Sequence, residues 1–365
     1  MTGCVSGWFG RTVALSVAVG LVFGVVAYRY LVEGVRVLQK YPPALDARGL
    51  AVSLVLAVAG YALVRALRPS AAAERPFDWA ALRLPGTLYG AMFGTLAATM
   101  VVMLVEPTVF AVTVREGQFL SIATEVVFIA ALWVLARTAL AVRRVAVARV
   151  FGLRPAVLVW LMFLGVAVVL GEEMSWGQHW LGWGTPELFE GNLQRETNLH
   201  NFYTHRFEAA YYSAAVLLLV LVPYAWPQRA PRLLAPLAPY IPPPSMAVLA
   251  LPLCGLMYNS WNFAAYQLWF FAGLWIALDL WRHAPRREAL AAAAMGGLLA
   301  VSQAVFVLFG GGMAEGHELT EIREFLIAIV VWGYALMLAG RLRAMAAASA
   351  GRSAALGARA QPRTA

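Results

Sequence analysis

The densest polar stretch in this chain is Gly171-Glu172-Glu173-Met174-Ser175-Trp176-Gly177-Gln178-His179-Trp180. Continued as helix, with about 100° between successive residues, it puts Glu172, Ser175 and His179 on one stripe and Glu173, Trp176 and Trp180 on the next. A carboxylate, a hydroxyl and an imidazole on one stripe suit general acid–base catalysis. Glu172 or Glu173 would be the base, and Ser175 a nucleophile activated by His179. The same set suits two metal ligands with an orienting group. The tryptophans suit a membrane–water belt, where an amphipathic ring has its apolar body in lipid and its N–H in water.

Two further clusters carry titratable groups. In Glu196-Thr197-Asn198-Leu199-His200-Asn201, Glu196 and His200 are four apart and share a helical face, a possible half-site for zinc or another divalent metal. Asn198 and Asn201 flank them, and a solvated loop capped by Asn and Thr is the plainer alternative. In His317-Glu318-Leu319-Thr320-Glu321-Ile322-Arg323-Glu324, the side chains of His317, Glu321 and Glu324 fall within about 60° of one another. Acidic residues in a first helical turn complement the macrodipole, which accounts less well for Glu324, one turn further in. A metal site would draw on Glu196, His200, His317 and Glu321. Glu125 stands alone inside an apolar run, where a carboxyl is costly unless neutral, paired or facing water, so it is expected to face the same polar recess.

The elements that must position these groups are membrane spans. Of 365 residues, 61% are hydrophobic and only 13% charged, about half the charged fraction of a soluble domain. That excludes a soluble enzyme, a nucleic-acid binder and a disordered scaffold. Two cysteines, Cys4 and Cys254, exclude a disulfide framework and a thiolate metal cluster. Lys40 is the only lysine, which reads as genome composition rather than chemistry.

Runs of the length that crosses a bilayer as helix, ~20 residues, cover 12–32, 49–67, 86–106, 118–141, 155–172, 208–225, 245–261, 263–281, 288–309 and 321–341. The expected fold is therefore all-α: a polytopic bundle of about ten spans within residues 1–342, with loop 173–207 carrying the polar motif. Residues 343–365 form an Arg/Ala-rich tail, expected to be disordered and cytoplasmic. The first run follows Arg11 without a small-residue cleavage site after it, so it reads as a retained span. With both termini cytoplasmic, 20 of the 28 Lys and Arg residues lie on the inner side, as the positive-inside rule requires. By contrast, 15 of the 19 Asp and Glu lie outside, together with His179, His200, His205 and His317. The three clusters and Glu125 are thus expected at one depth on the outer face of a cytoplasmic (inner) membrane.

From Gly171 to Asn201 the chain resembles a signature found in a group of bacterial multi-pass membrane proteins of unassigned activity. It reads Glu172-Glu173-x-Ser175-Trp176-Gly177-Gln178, then Thr185-Pro186-Glu187, then Glu196-Thr197-Asn198-Leu199-His200-Asn201. The resemblance implies a shared site and brings no reaction with it. A fainter likeness is to the membrane hydrolase superfamily that includes alkaline ceramidases, whose zinc sites use a Ser and His four apart. Ser175 and His179 have that spacing, while the later His-x-x-x-His pair is absent.

Three functions compete on this evidence. The first is a membrane enzyme acting on a lipid or lipid-linked substrate, in which a divalent metal would activate water or polarise a phosphoryl or carbonyl oxygen. The second is a proton- or ion-coupled transporter in which Glu125, Glu172 and His200 exchange protons. The third is an accessory subunit of an envelope assembly.

Overall fold

The computed structural model describes residues 2–68, 86–115, 117–143, 149–226, 234–313 and 319–360, with side chains described from residue 8 to 349 except that of His179. Among the described residues the protein is helical, with no strand. In chain order the helices are α1 (Thr2–Leu31), α2 (Ala47–Leu67), α3 (Gly86–Val105), α4 (Pro107–Thr113), α5 (Phe119–Val142), α6 (Pro155–Glu173) and the single turn α7 (Gln178–Leu181). They continue as α8 (Thr204–Val216), α9 (Val222–Ala225), α10 (Pro244–Ala250), α11 (Ala264–His283), α12 (Arg286–Phe309) and α13 (Leu319–Ala360).

Local sequence explains where these helices begin and bend. Pro155 and Pro244 occupy first-turn positions of α6 and α10, where a missing N–H costs nothing. Asp46 caps α2 by accepting the Gly49 N–H at 2.8 Å. Pro223 cannot donate to the turn before it, and the wide π turn Leu217–Leu221 joining α8 to α9 sits beside that gap. The tail beyond Arg343, expected as disordered, instead continues α13 to Ala360. Its alanines are the best helix formers and need no partner to favour that state.

Among the described residues, eight helical stretches are long and apolar enough to cross a membrane, including the joined rod Thr204–Ala225. Large apolar side chains point outward from them, among them Phe23, Phe93, Trp133 and Leu164. Such exposure is normal in lipid and costly in water. Two of the ten expected spans depart from expectation. α11 is as long as its neighbours and packs on α2 and α12, but Gln267, Asp279 and three tryptophans make it less apolar. The expected span 245–261 is a broken helix. α10 gives way to a 3-10 turn at Leu251–Cys254 and then to irregular chain.

The break is wholly internal. Residues 245–257 are buried, and the freed backbone groups find side chains instead of water. Gln303 accepts the Met257 N–H at 3.0 Å and donates to the Met257 carbonyl at 2.6 Å. The Arg323 guanidinium donates to the carbonyls of Gly255 at 3.2 Å and Leu256 at 2.6 Å. Irregular backbone at membrane depth survives only when enclosed and satisfied in this way. The main hydrophobic core surrounds this segment, and a second one binds α5, α6 and α13.

The chain after α1 and α4, the end of α6 and the beginnings of α8 and α13 come together at one end of the bundle around a common recess. The polar loop between α6 and α8 lies at that same end.

Candidate functional site

The signature residues first build a knot. α6 ends at Glu173, and Ser175, Trp176 and Gly177 all take positive φ (46°, 54° and 98°), which throws the chain sharply off the helix axis. Two of these three are not glycine, so the turn is held against a local conformational cost. What holds it is visible. Ser175, fully buried, donates its hydroxyl to Glu196 Oε2 at 2.8 Å and accepts from Asn198 Nδ2 at 2.9 Å. Asn198 also donates to Glu196 Oε2 at 2.9 Å, and Asn201 does so at 3.4 Å. Gln178 accepts both the Thr197 N–H and hydroxyl, at 2.6 and 2.8 Å. Asn192 accepts the Glu196 N–H and donates to the Glu196 carbonyl.

Glu172 is the second clasp. Its Oε2 accepts the N–H groups of Leu199 at 2.8 Å and His200 at 3.0 Å, while Oε1 accepts the Trp176 indole N–H at 2.9 Å. The two halves of the signature, about twenty residues apart, are thereby stitched into one rigid piece on the end of α6. Trp180 likewise donates to Glu125 Oε2 at 2.7 Å, so a second indole from this loop covers the buried carboxyl of α5.

Beside the knot lies a cavity of about 570 Å³. Glu173 enters from α6, His200 and Asn201 from the loop, His205, Glu208, Tyr211 and Tyr212 from α8, and Thr320, Glu321 and Glu324 from α13. Lys40 comes from the α1–α2 connection, Arg115 from the chain after α4, and Asn259 from beyond the broken helix. Ala111, Val114, Leu193 and Phe207 give it an apolar side.

Its groups are fixed in place. Lys40 Nζ lies 2.6 Å from Glu208 Oε2. The Lys40 backbone is bracketed, since Tyr41 donates to the Asn259 carbonyl at 3.0 Å and Asn262 donates to the Gln39 carbonyl. Tyr212 donates to Glu324 Oε1 at 2.7 Å, and its ring receives the Arg323 guanidinium at 4.3 Å, with Tyr266 on that cation at 5.1 Å. The arginine that satisfies the broken helix is thus also the cationic floor beneath a cavity tyrosine. Ring contacts run along one wall from His200 to Phe207, Tyr211 and Tyr212. The buried Tyr211 hydroxyl has no hydrogen-bond partner among the described residues, and it borders the cavity. His200 Nδ1 sits 3.4 Å from Glu172 Oε2, an ion-pair distance if the ring is protonated but not hydrogen-bond geometry.

Of the residues singled out from sequence, the structure brings Glu173, His200, Asn201, Glu321 and Glu324 to the cavity. Glu172, Ser175, Glu196 and Asn198 form the knot behind it, and Glu125 lies under Trp180 outside the cavity lining. His317 and the side chain of His179 lie outside the described residues. Ser175 is fully buried and does not line the cavity, and its hydroxyl hydrogen bond to Glu196 braces the turn. For the expected metal set, the Glu196 carboxylate is occupied by Ser175 and the asparagines, and among the described residues no three His, Cys, Asp or Glu side chains are grouped as metal ligands. His317, the fourth residue of that set, is not among the described residues.

Sequence reasoning missed Lys40, Arg115, Glu208 and the two tyrosines. A signal existed for one of them: a single lysine in an arginine-rich chain marks a position where a compact ammonium is used and a guanidinium is not. Compared with known protein families, with curated proteins and with solved structures, the chain matches none.

Proposed function

We propose that the protein is a membrane enzyme whose cavity takes the polar head of a lipid or lipid-linked substrate at the extracytoplasmic surface of the cytoplasmic membrane. The observation that carries this reading is the cavity itself, where carboxylates, imidazoles and tyrosines from four separate segments share one recess with an apolar side. An amphiphile fits such a recess, with its head among the carboxylates and its apolar part along Leu193, Val114 and Phe207. Among the described lining residues, four glutamates face Lys40 and Arg115, and Lys40 is held by Glu208. That acceptor-rich wall suits a head bearing hydroxyl or amine donors.

In this reading Glu173 is the general base and His205 or Glu321 the acid, since a base, an acid and a bound head in one recess are what proton transfer at a reacting bond needs. Glu172 is a positioning residue that sets the backbone of His200. No step is routed through a metal. A second reading, a proton- or ion-coupled carrier, is favoured by one feature: the broken helix beside the site, since carriers build their sites from discontinuous helices.

The test is reconstitution into liposomes of total bacterial polar lipid, followed by lipid mass spectrometry. The parent is expected to consume one lipid species and form a product, while Glu173→Gln and the His205→Ala, Glu321→Gln double variant leave the lipids unchanged at an unaltered thermal midpoint. Unchanged lipid with every protein, together with collapse of an imposed pH gradient by the parent, would overturn the enzyme in favour of the carrier.

A further inference from the structure

At the other end of the bundle a second recess lies between α1 and α2, with a volume of about 550 Å³. Its mouth carries Arg11, Arg65 and Arg68, and its walls are Val13, Val17, Val58 and Tyr61. From these residues we infer a binding site for an anionic phospholipid, separate from the polar cavity and independent of what that cavity does.

Three observations converge. First, the cationic mouth is organised. The Arg11 guanidinium donates to the main-chain carbonyl of Arg68 at 2.9 Å, tying the start of α1 to the end of α2. Arg68 Nε lies 3.2 Å from Asp279 Oδ1 on α11, and that carboxylate also accepts the Tyr224 hydroxyl at 2.9 Å. Second, among the described residues the mouth carries an excess of positive charge. Asp279 answers one guanidinium, and among the described residues no carboxylate pairs with Arg11 or Arg65. Third, the walls below are apolar and half-exposed, with Val13, Val17 and Val58 each 44–49% accessible. The α2 side is stiffened by the Tyr61–Trp275 edge contact at 5.0 Å and the Trp275 indole donating to the Ala57 carbonyl at 3.0 Å.

This is the chemistry of one occupant. A phosphodiester accepts from several guanidinium donors, which offer a planar, always-charged fork. An acyl chain attached to it then descends beside Val13 and Val17, and α1 rises about 9 Å from Arg11 to Val17, enough to line its upper part. Basic recesses between spans at a membrane surface hold anionic head groups for these reasons. A zwitterionic lipid would place its own cation against the same arginines.

The full chain purified in detergent provides the test, by native mass spectrometry with dioleoylphosphatidylglycerol, dioleoylphosphatidylcholine and inorganic phosphate as separate probes. The parent is expected to retain phosphatidylglycerol in preference to phosphatidylcholine and to show no matching affinity for phosphate alone. Combining Arg11→Ala with Arg65→Ala removes two exposed cations and leaves the Arg68–Asp279 pair; it should weaken phosphatidylglycerol binding roughly thirty-fold. Val17→Trp, which fills the wall and spares every charge, should weaken it as well. Equal retention of the two lipids by the parent, undiminished phosphatidylglycerol binding in both variants, or phosphate binding as tightly as the lipid would each overturn the assignment.

Discussion

Glu172 accepts the backbone N–H of His200 at 3.0 Å, so the last buried carboxylate of α6 sets the position of a cavity imidazole twenty-eight residues later. The neighbouring Glu173 is rotated about 100° around the helix and lines the cavity instead. Two adjacent glutamates therefore have separate jobs, and their variants should separate. Glu172→Gln turns an acceptor into a group that must aim an N–H at either the Trp176 indole or the two amides. It should cost about 2–4 kcal/mol and lower the thermal midpoint in detergent. Glu173→Gln should leave that midpoint nearly where it was. Equal midpoints for both would mean that the clasp contributes nothing to the fold.

Ser175 gives a second separation. Its hydroxyl both donates to Glu196 and accepts from Asn198 inside a fully buried turn. Ser175→Ala should destabilise by about 1–3 kcal/mol, because the asparagine donor and the carboxylate each lose a buried partner. The parent should also form no adduct with a serine-directed fluorophosphonate, which intact-protein mass spectrometry would detect. A stoichiometric adduct at Ser175 would restore it as a nucleophile.

What sequence could and could not reveal follows from the kind of information each feature carries. Hydropathy records length and apolarity, so α2, α5 and α12 were legible directly. It does not record where a carbonyl finds a donor, so residues 245–261 looked like a span although Pro252, Gly255 and the reach of Gln303 and Arg323 make them a broken, enclosed segment. The convergence of Glu173, His200, Glu321 and Glu324 followed from topology, since alternating spans bring those chain ends together. The roles of Glu172 and Glu196 did not, because helical periodicity was extended through Ser175–Gly177, where three positive φ values end it. Trp176 and Trp180 looked like interfacial anchors by type, and only geometry shows their indoles on Glu172 and Glu125.

Lys40 and Glu208 make a half-buried pair from segments far apart in sequence, and the ammonium sits on a backbone pinned at both neighbours. Removing one partner leaves a charge in a recess already rich in carboxylates or tyrosines, whereas removing both leaves none. Lys40→Met should therefore destabilise more than the Lys40→Met, Glu208→Gln double variant. The coupling in a double-mutant cycle should be about 1–3 kcal/mol. Additive single effects would show that the pair is a surface contact of no consequence.

The proposed orientation, with the arginine-rich end of the bundle in the cytoplasm, predicts which positions are reachable from outside. In a Cys4→Ser background Cys254 is buried and should stay silent, so an introduced thiol reports its own position. Leu193→Cys, exposed at the cavity rim, should react with a membrane-impermeant maleimide added to intact cells. Arg286→Cys, at the first turn of α12 and the opposite end of the bundle, should react only after the membrane is opened. The alternation of helix directions ties the two results together: any orientation that exposes one must hide the other. Labelling of Arg286→Cys in intact cells with Leu193→Cys protected would invert the protein. The polar cavity would then face the cytoplasm and the arginine groove the exterior, against the positive-inside bias on which the proposed orientation rests.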